Sequence, residues 1–118
     1  MNEQMKQELI EWGVDWKEVS ERFMGKDELI EKLMLKFLND SSFAQLQKGI
    51  EEKDVKEAFE GCHSLKGVGG NLGLQGFLPD VLTLTEILRA ESLDGSEELF
   101  ARIKKSYDEL IGILKKYS

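Results

Sequence analysis

The sequence predicts an all-α protein: an up-and-down antiparallel four-helix bundle with one or two short extra helices at its N-terminus. Apolar residues recur at three- and four-residue spacing in almost every segment, which is the periodicity of amphipathic helices. Only one proline, Pro79, interrupts the 118 residues, and β-branched residues that favour strands are sparse. Because the connections between segments are only a few residues long, neighbouring helices should run antiparallel.

The helices are predicted in order from these patterns. Two short ones lie near residues 3–12 and 15–24. The segments near 26–39 and 42–52 follow, as one interrupted unit or two helices, and then come 54–73, 78–92 and 96–117. Apolar stripes predict the buried faces: Leu29, Leu33 and Phe37; then Leu82, Thr85 and Leu88; then Phe100, Ile103, Tyr107, Leu110 and Leu114.

Capping residues support the predicted helix starts. Asp15, Ser42 and Asp54 are each followed three residues later by Glu or Gln, which is the form of a capping box. Ser96 precedes two glutamates and is predicted to cap the last helix. Pro79 suits the first turn of a helix, where its missing N–H costs nothing.

Length, charge and composition narrow the class of protein. A chain of 118 residues is predicted to form a single domain over 1–118 and to act as a monomer. With 16 basic and 23 acidic side chains, its net charge of −7 disfavours nucleic acid and anionic membranes as partners. There is no apolar run of membrane-spanning length and no signal-peptide stretch, so a cytoplasmic protein is expected. One cysteine and one histidine exclude a disulfide framework and a Cys/His metal site.

The segment 61–76 departs from an ordinary helical bundle because it holds six of the eleven glycines. Each glycine inside a helix costs about 1 kcal/mol relative to alanine, so something other than helix stability favours small residues here. On a helical wheel, Cys62 and Gly69 lie on the core stripe, and Gly73 and Gly76 fall at the helix end. A second stripe, about 110° away, carries His63, Gly67, Gly70 and Leu74.

The residues of the second stripe predict that His63 is a nucleophile that contacts another macromolecule. A partly exposed imidazole is available in its uncharged form near neutral pH. Lys66, between the two stripes, can bring a cation beside the ring, and Gly67 has no side chain to block an approaching partner. A phosphate-binding glycine loop is excluded because Leu72 stands where its third glycine belongs. Cys62 and His63 diverge by about 100° and cannot form a nucleophile–base pair.

The run from Cys62 to Gly73 resembles the signature of histidine-containing phosphotransfer (HPt) domains, a His-x-Leu-Lys-Gly core followed by small residues and an apolar-Gly pair. The resemblance implies that His63 is the phosphoacceptor, that Lys66 stabilises the phosphoryl group and that Gly67 keeps the approach open. Family members commonly have alanine where Cys62 stands, and some place a polar residue near the phosphate in the region of Gln75.

The resemblance also implies the partners. Receiver domains of response regulators, and a hybrid histidine kinase, would exchange the phosphoryl group with this chain. The chain would need no cofactor of its own, since the receiver carries the divalent metal ion. It would be a relay intermediate and not an enzyme, because no ATP-binding segment is present. Leu74 is predicted to supply apolar contact beside the histidine, and Phe77 and Leu78 are predicted either to join it or to lie in the core.

Two other functions remain open from the sequence. The chain can be a helical adaptor without chemistry, or the substrate domain of a chemotaxis-type histidine kinase. The concentration of glycines around one histidine favours phosphotransfer over the adaptor. A chain that starts with methionine and ends without a linker favours a stand-alone protein over a domain cut from a hybrid kinase.

Overall fold

The helices lie close to their predicted positions in the computed structural model, which describes all 118 residues. They are α1 (Glu3–Trp12), α2 (Trp16–Arg22), α3 (Asp27–Lys36), α4 (Ser42–Glu52), α5 (Val55–Asn71), α6 (Leu78–Arg89) and α7 (Ser96–Lys116). A 3-10 turn, Phe37–Asn39, ends α3, so the segment from 26 to 52 forms two helices. There is no β-strand, and the predicted all-α class is confirmed.

Asp15 and Asp54 cap their helices as predicted, but the reciprocal half of the capping box is absent, because their own N–H groups donate to the carbonyl oxygens of Gly73 and Gly49. The Asp15 Oδ1 atom accepts a hydrogen bond from the Glu18 N–H at 3.1 Å, at the start of α2. At the start of α5, the Asp54 Oδ1 atom accepts from the Glu57 N–H at 3.1 Å. Pro79 occupies the first turn of α6, as predicted.

The two serine caps were predicted wrongly. Ser42 is the first residue of α4, and its N–H donates to the Asp40 Oδ1 atom at 2.9 Å, so Asp40 satisfies this helix start. Ser96 is the first residue of α7, and its hydroxyl donates back to the Leu93 carbonyl oxygen at 2.7 Å. The N-cap of α7 is Gly95, whose φ of +76° suits glycine.

The bundle consists of α4 to α7, each antiparallel to the next, and its closest helix pair is α4 with α5. A methyl group on Gly61 would lie 2.4 Å from the backbone nitrogen of Leu46, and one on Gly49 would lie 2.2 Å from that of Ala58. No real carbon approaches so near, and these two glycines therefore let α4 and α5 pack backbone against backbone.

The core is one cluster of 21 buried residues, to which the N-terminal helices contribute Met5, Leu9 and Val19. Thr85 and Leu88 are buried as predicted, but Leu82 is 45% exposed. Leu29, predicted on a buried face, is likewise 39% exposed, so both Leu82 and Leu29 were placed wrongly on core stripes. None of the α-helices combines the length and apolar character that crossing a membrane requires.

The N-terminal helices hold the C-terminal end of α5. Arg22 of α2 donates hydrogen bonds to the carbonyl oxygens of Gly70 (3.0 Å) and Asn71 (2.7 Å). The Asp15 N–H donates to the Gly73 carbonyl oxygen at 2.9 Å. These bonds satisfy carbonyl groups that a helix end leaves without intrahelical partners.

Candidate functional site

The exposure of His63 follows from the burial of its neighbour, Cys62. Cys62 is fully buried between α5 and α6, where its thiol donates to the Val81 carbonyl oxygen (3.5 Å) and contacts the Thr85 hydroxyl (3.2 Å). Successive residues on a helix are about 100° apart, so the side chain after Cys62 leaves the core. His63 is accordingly exposed on the surface of α5.

Cys62 itself has a structural role, as predicted. Burial raises the pKa of its thiol to about 11, against the smaller opposite effects of the Thr85 hydrogen bond and the Lys66 charge. Because the thiolate is the reactive form, the Cys62 thiol is inert near neutral pH. The nucleophile available on this segment is therefore the imidazole.

On the side of α5 that carries His63, the next two turns have the glycines Gly67 and Gly70 in place of larger residues. A methyl group on Gly67 or on Gly70 would have no atom within 4 Å. Gly69, by contrast, is buried, and a methyl group there would lie 3.3 Å from the side chains of Phe77 and Leu78. The predicted division between a packing glycine and two open glycines is confirmed.

Lys66 lies one turn from His63 and is partly buried. It makes no salt bridge with any carboxylate, although six other basic residues do. Its charge acts to lower the pKa of the Cys62 thiol, against the larger effect of burial. An unpaired cation at this point can meet an anion that arrives at the imidazole.

Leu74 was predicted wrongly as an apolar contact beside the histidine, and of the two alternatives for Phe77 and Leu78 the structure shows the core. Leu74 is fully buried, and Phe77 and Leu78 also belong to the core, with 1% and 8% exposure. The reason is that α5 ends at Asn71, so the helical wheel does not extend to Leu74. Leu74 instead forms an isolated antiparallel bridge with Val14.

Gln75 also lies past the end of α5. It is an exposed residue of the connector between α5 and α6. The structure shows no side-chain hydrogen bond from Gln75, and it gives this residue no connection to His63.

Two side chains near His63 were not singled out from the sequence. The Phe59 ring lies one turn before His63, with its centroid 5.6 Å from the imidazole centroid and the two planes 31° apart. The Arg89 guanidinium of α6 lies 5.1 Å from the Phe59 ring centroid. The i, i+4 spacing of Phe59 and His63 was a usable signal, whereas nothing local in the sequence connects Arg89 to them.

Leu82 completes this surface from α6. It follows Val81, which faces Cys62, just as His63 follows Cys62. Because α5 and α6 are antiparallel, the residues that come directly after Cys62 and Val81 both point to the same side of the helix pair. Leu82 and His63 therefore lie on one side of the α5–α6 pair. We call this surface the histidine face; its members are Phe59, His63, Lys66, Gly67 and Gly70 of α5 and Leu82, Glu86 and Arg89 of α6.

The histidine face brings together a nucleophile, an unpaired cation and an open approach. Nowhere in the chain do three or more His, Cys, Asp or Glu side chains form a group that could hold a metal ion. The arrangement can accept an electrophilic group on the imidazole and balance its negative charge with Lys66.

Of the comparisons with known proteins, the one with family models gives a match, and it agrees with this geometry. No curated protein and no solved structure matches the chain. The family model described as the Hpt domain matches residues 32–112, which include all of α4, α5 and α6 and most of α7. Since this match spans more than half of the 118 residues, the chain belongs to the Hpt domain family, whose members are histidine phosphotransfer modules of phosphorelays, work with receiver domains and have no autonomous kinase activity.

Proposed function

We propose that this chain accepts a phosphoryl group on His63 from the phosphoaspartate of a receiver domain and passes it to a second receiver domain. The observation that carries the proposal is the exposed imidazole in the middle of α5, followed by two open glycines. An imidazole nitrogen forms the N–P bond as the aspartyl O–P bond breaks, and the aspartate carboxylate leaves with the bonding electron pair. The return step reverses these changes on another receiver.

Each neighbour of His63 has a role in this proposal. Lys66, which has no carboxylate partner, stabilises the phosphoryl group on the imidazole. Gly67 leaves room for the edge of the receiver, as a side chain there would point into the approaching partner. The divalent metal ion belongs to the receiver, and the phosphoryl group arrives already activated, so this chain needs no ATP-binding site.

The histidine face is the docking surface in this proposal. Leu82, which is 45% exposed, supplies the apolar part that the receiver contacts, in place of the buried Leu74. The partly buried Phe59 packs beside the imidazole and does not contact the receiver in this proposal. A small apolar centre with a polar rim is typical of transient protein–protein contacts. The charged side chains of Lys66, Glu86 and Arg89 form the rim.

We further propose that residues 1–118 act as one domain and as a monomer. The family match begins at residue 32, but Met5, Leu9, Val14 and Val19 belong to the same buried cluster as α4 to α7. Removing α1 and α2 would expose this core. The N-terminal helices therefore form part of the phosphotransfer domain.

The test is phosphotransfer from a panel of labelled receiver domains to the wild-type chain and to the His63→Gln variant. Wild type should take up label that is lost in acid and kept in alkali, and the variant should take up none. Both proteins should melt at nearly the same temperature, because the His63 side chain is exposed. If no receiver labels the folded wild-type chain, the phosphorelay role is wrong and the helical adaptor takes its place.

A further inference from the structure

We propose that Phe59 is a positioning residue, which holds the His63 imidazole in the orientation that reacts, and that Arg89 in turn holds the Phe59 ring. The inference rests on the proposed function, since it assigns a role in the transfer step at His63. Phe59 touches neither the phosphoryl group nor the receiver aspartate in this proposal. It acts only through the imidazole.

The first step is the direction of the imidazole. A helical side chain leans over the turn that precedes its own Cα atom, so His63 leans toward Phe59. The two ring centroids are 5.6 Å apart, with the planes tilted by 31°. This distance is within the contact range of aromatic pairs. The Phe59 ring therefore excludes part of the rotation that an exposed imidazole would otherwise have.

The second step is the support of Phe59 from the neighbouring helix. The Arg89 guanidinium lies 5.1 Å from the Phe59 ring centroid, within the range of a cation–π contact. The Arg89 Nε atom also donates to the Glu86 Oε2 atom at 3.2 Å. Beside these residues lies an open groove of about 560 Å³, lined in part by Val55, Phe59 and Leu88. Without Arg89, the ring could turn into this groove and away from His63.

The third step is the geometry of the transfer. The imidazole lone pair must point at phosphorus, in line with the bond that breaks, and a small error of orientation costs rate. Docking of the receiver does not require that orientation. A positioning role for Phe59 therefore predicts an effect on the transfer rate of the bound complex and not on the affinity of the complex.

The experiment compares Phe59→Leu, Phe59→Tyr and Arg89→Ala with wild type, and uses Phe100→Leu as the matched control. Phe100 is also a partly buried aromatic residue in a ring pair, with Phe43, but it lies on α7. With a phosphorylated receiver, Phe59→Leu should lower the saturating transfer rate about tenfold while the half-saturating concentration stays within about twofold. Phe59→Tyr, which keeps the ring, should recover the rate, and Phe100→Leu should leave it unchanged.

Two readouts need no receiver. NMR couplings should show one dominant His63 side-chain rotamer in wild type and several in Phe59→Leu, with an intermediate result in Arg89→Ala. Phosphoramidate, a small donor that transfers its phosphoryl group to imidazole and releases ammonia, should label Phe59→Leu more slowly than wild type. These readouts separate the two proposals: the positioning role stands if they change as expected, even where every receiver fails to transfer.

Two results would overturn the positioning role. Equal rotamer populations in wild type and Phe59→Leu would show that the ring does not restrict the imidazole. A higher half-saturating concentration with an unchanged saturating rate would show that Phe59 contacts the receiver instead.

Discussion

At the scale of single residues, the chemistry of this chain depends on two adjacent residues of α5 that point in different directions. Cys62 is anchored in the core by its contacts with Val81 and Thr85, and His63 is turned out of the core as a consequence. The buried thiol has a pKa of about 11, whereas the imidazole next to it is open to a partner. One side chain thus fixes the helix, and the next is free to react.

Lys66 gives the first prediction at this scale. Lys66→Ala should slow phosphotransfer about tenfold without abolishing it, because loss of one charge-assisted contact raises the barrier by about 1.4 kcal/mol. Stability should change little, since Lys66 has no salt bridge to lose. Rapid-quench transfer kinetics and thermal melting measure the two effects. Lys105→Ala, an exposed lysine of α7, is the control, and an unchanged rate in Lys66→Ala would remove its assigned role.

At the scale of the element, α5 contains glycines of two physical kinds. Gly61 is needed for the backbone contact with α4, as Gly49 is from the other side. A methyl group on Gly67 or Gly70 would meet no atom within 4 Å, and each glycine makes the helix weaker than alanine would. The open glycines give up local helix stability on the one surface where the imidazole must be reached.

These two kinds of glycine should respond in opposite directions to alanine. Gly61→Ala should destabilise the protein by about 3 kcal/mol, because its methyl group meets the α4 backbone. Gly67→Ala and Gly70→Ala should each raise stability by about 0.5–1 kcal/mol. Gly112→Ala in α7, where the space is also open, should stabilise equally and is the matched control. Urea unfolding measures all four.

Activity separates the open glycines from one another. Gly67→Leu should block transfer from a receiver by obstruction, and Gly112→Leu should not affect it. Full transfer in Gly67→Leu would contradict the role of this glycine in access. Loss of transfer in both variants would point to a general effect of leucine on the fold.

The limits of sequence-based prediction lie where α5 ends. Within α5 the helical wheel predicts burial and exposure correctly. The positions that it predicts correctly are Cys62, His63, Gly67 and Gly69. Leu74 is misplaced because the helix stops at Asn71. The contacts that hold the end of α5 come partly from far away in the sequence, since Arg22 and Val14 lie some fifty residues or more before their partners. Hydrophobic periodicity does not reveal such contacts. Arg89 near Phe59 is a tertiary contact of the same kind.

At the scale of the whole molecule, the two ends of the chain are joined. Glu8 of α1 accepts hydrogen bonds from the side chains of Lys116 and Tyr117 at the end of α7. The Trp12 indole N–H also donates to the Ser106 carbonyl oxygen at 2.8 Å. The same N-terminal segment supports the end of α5 through Arg22. The joined ends thus hold α1 and α2 where they can brace the helix that carries His63.

This junction makes stability depend on pH through Glu8. The Lys116 hydrogen bond, and next the Tyr117 hydrogen bond, hold the pKa of Glu8 below its ordinary value of 4.5. A carboxyl group whose pKa is lowered by folding stabilises the fold above its ordinary pKa and loses that effect as pH falls through the folded value. The partner hydroxyl has the opposite sign: the Glu8 hydrogen bond raises the pKa of Tyr117 above 10, and its contribution is lost as pH rises through the folded value.

Glu8→Gln should therefore lower the melting temperature near pH 7, and the difference from wild type should shrink as pH falls below 4.5. The effect should be small and should weaken in high salt, because the junction is at the surface. Melting curves between pH 3 and pH 8 test this, with Glu11→Gln, an exposed glutamate of α1 that makes no salt bridge, as the control. Phosphotransfer at 25 °C should stay at the wild-type rate in Glu8→Gln, since most molecules remain folded. A constant difference across the whole pH range would show that Glu8 acts through packing and not through its charge.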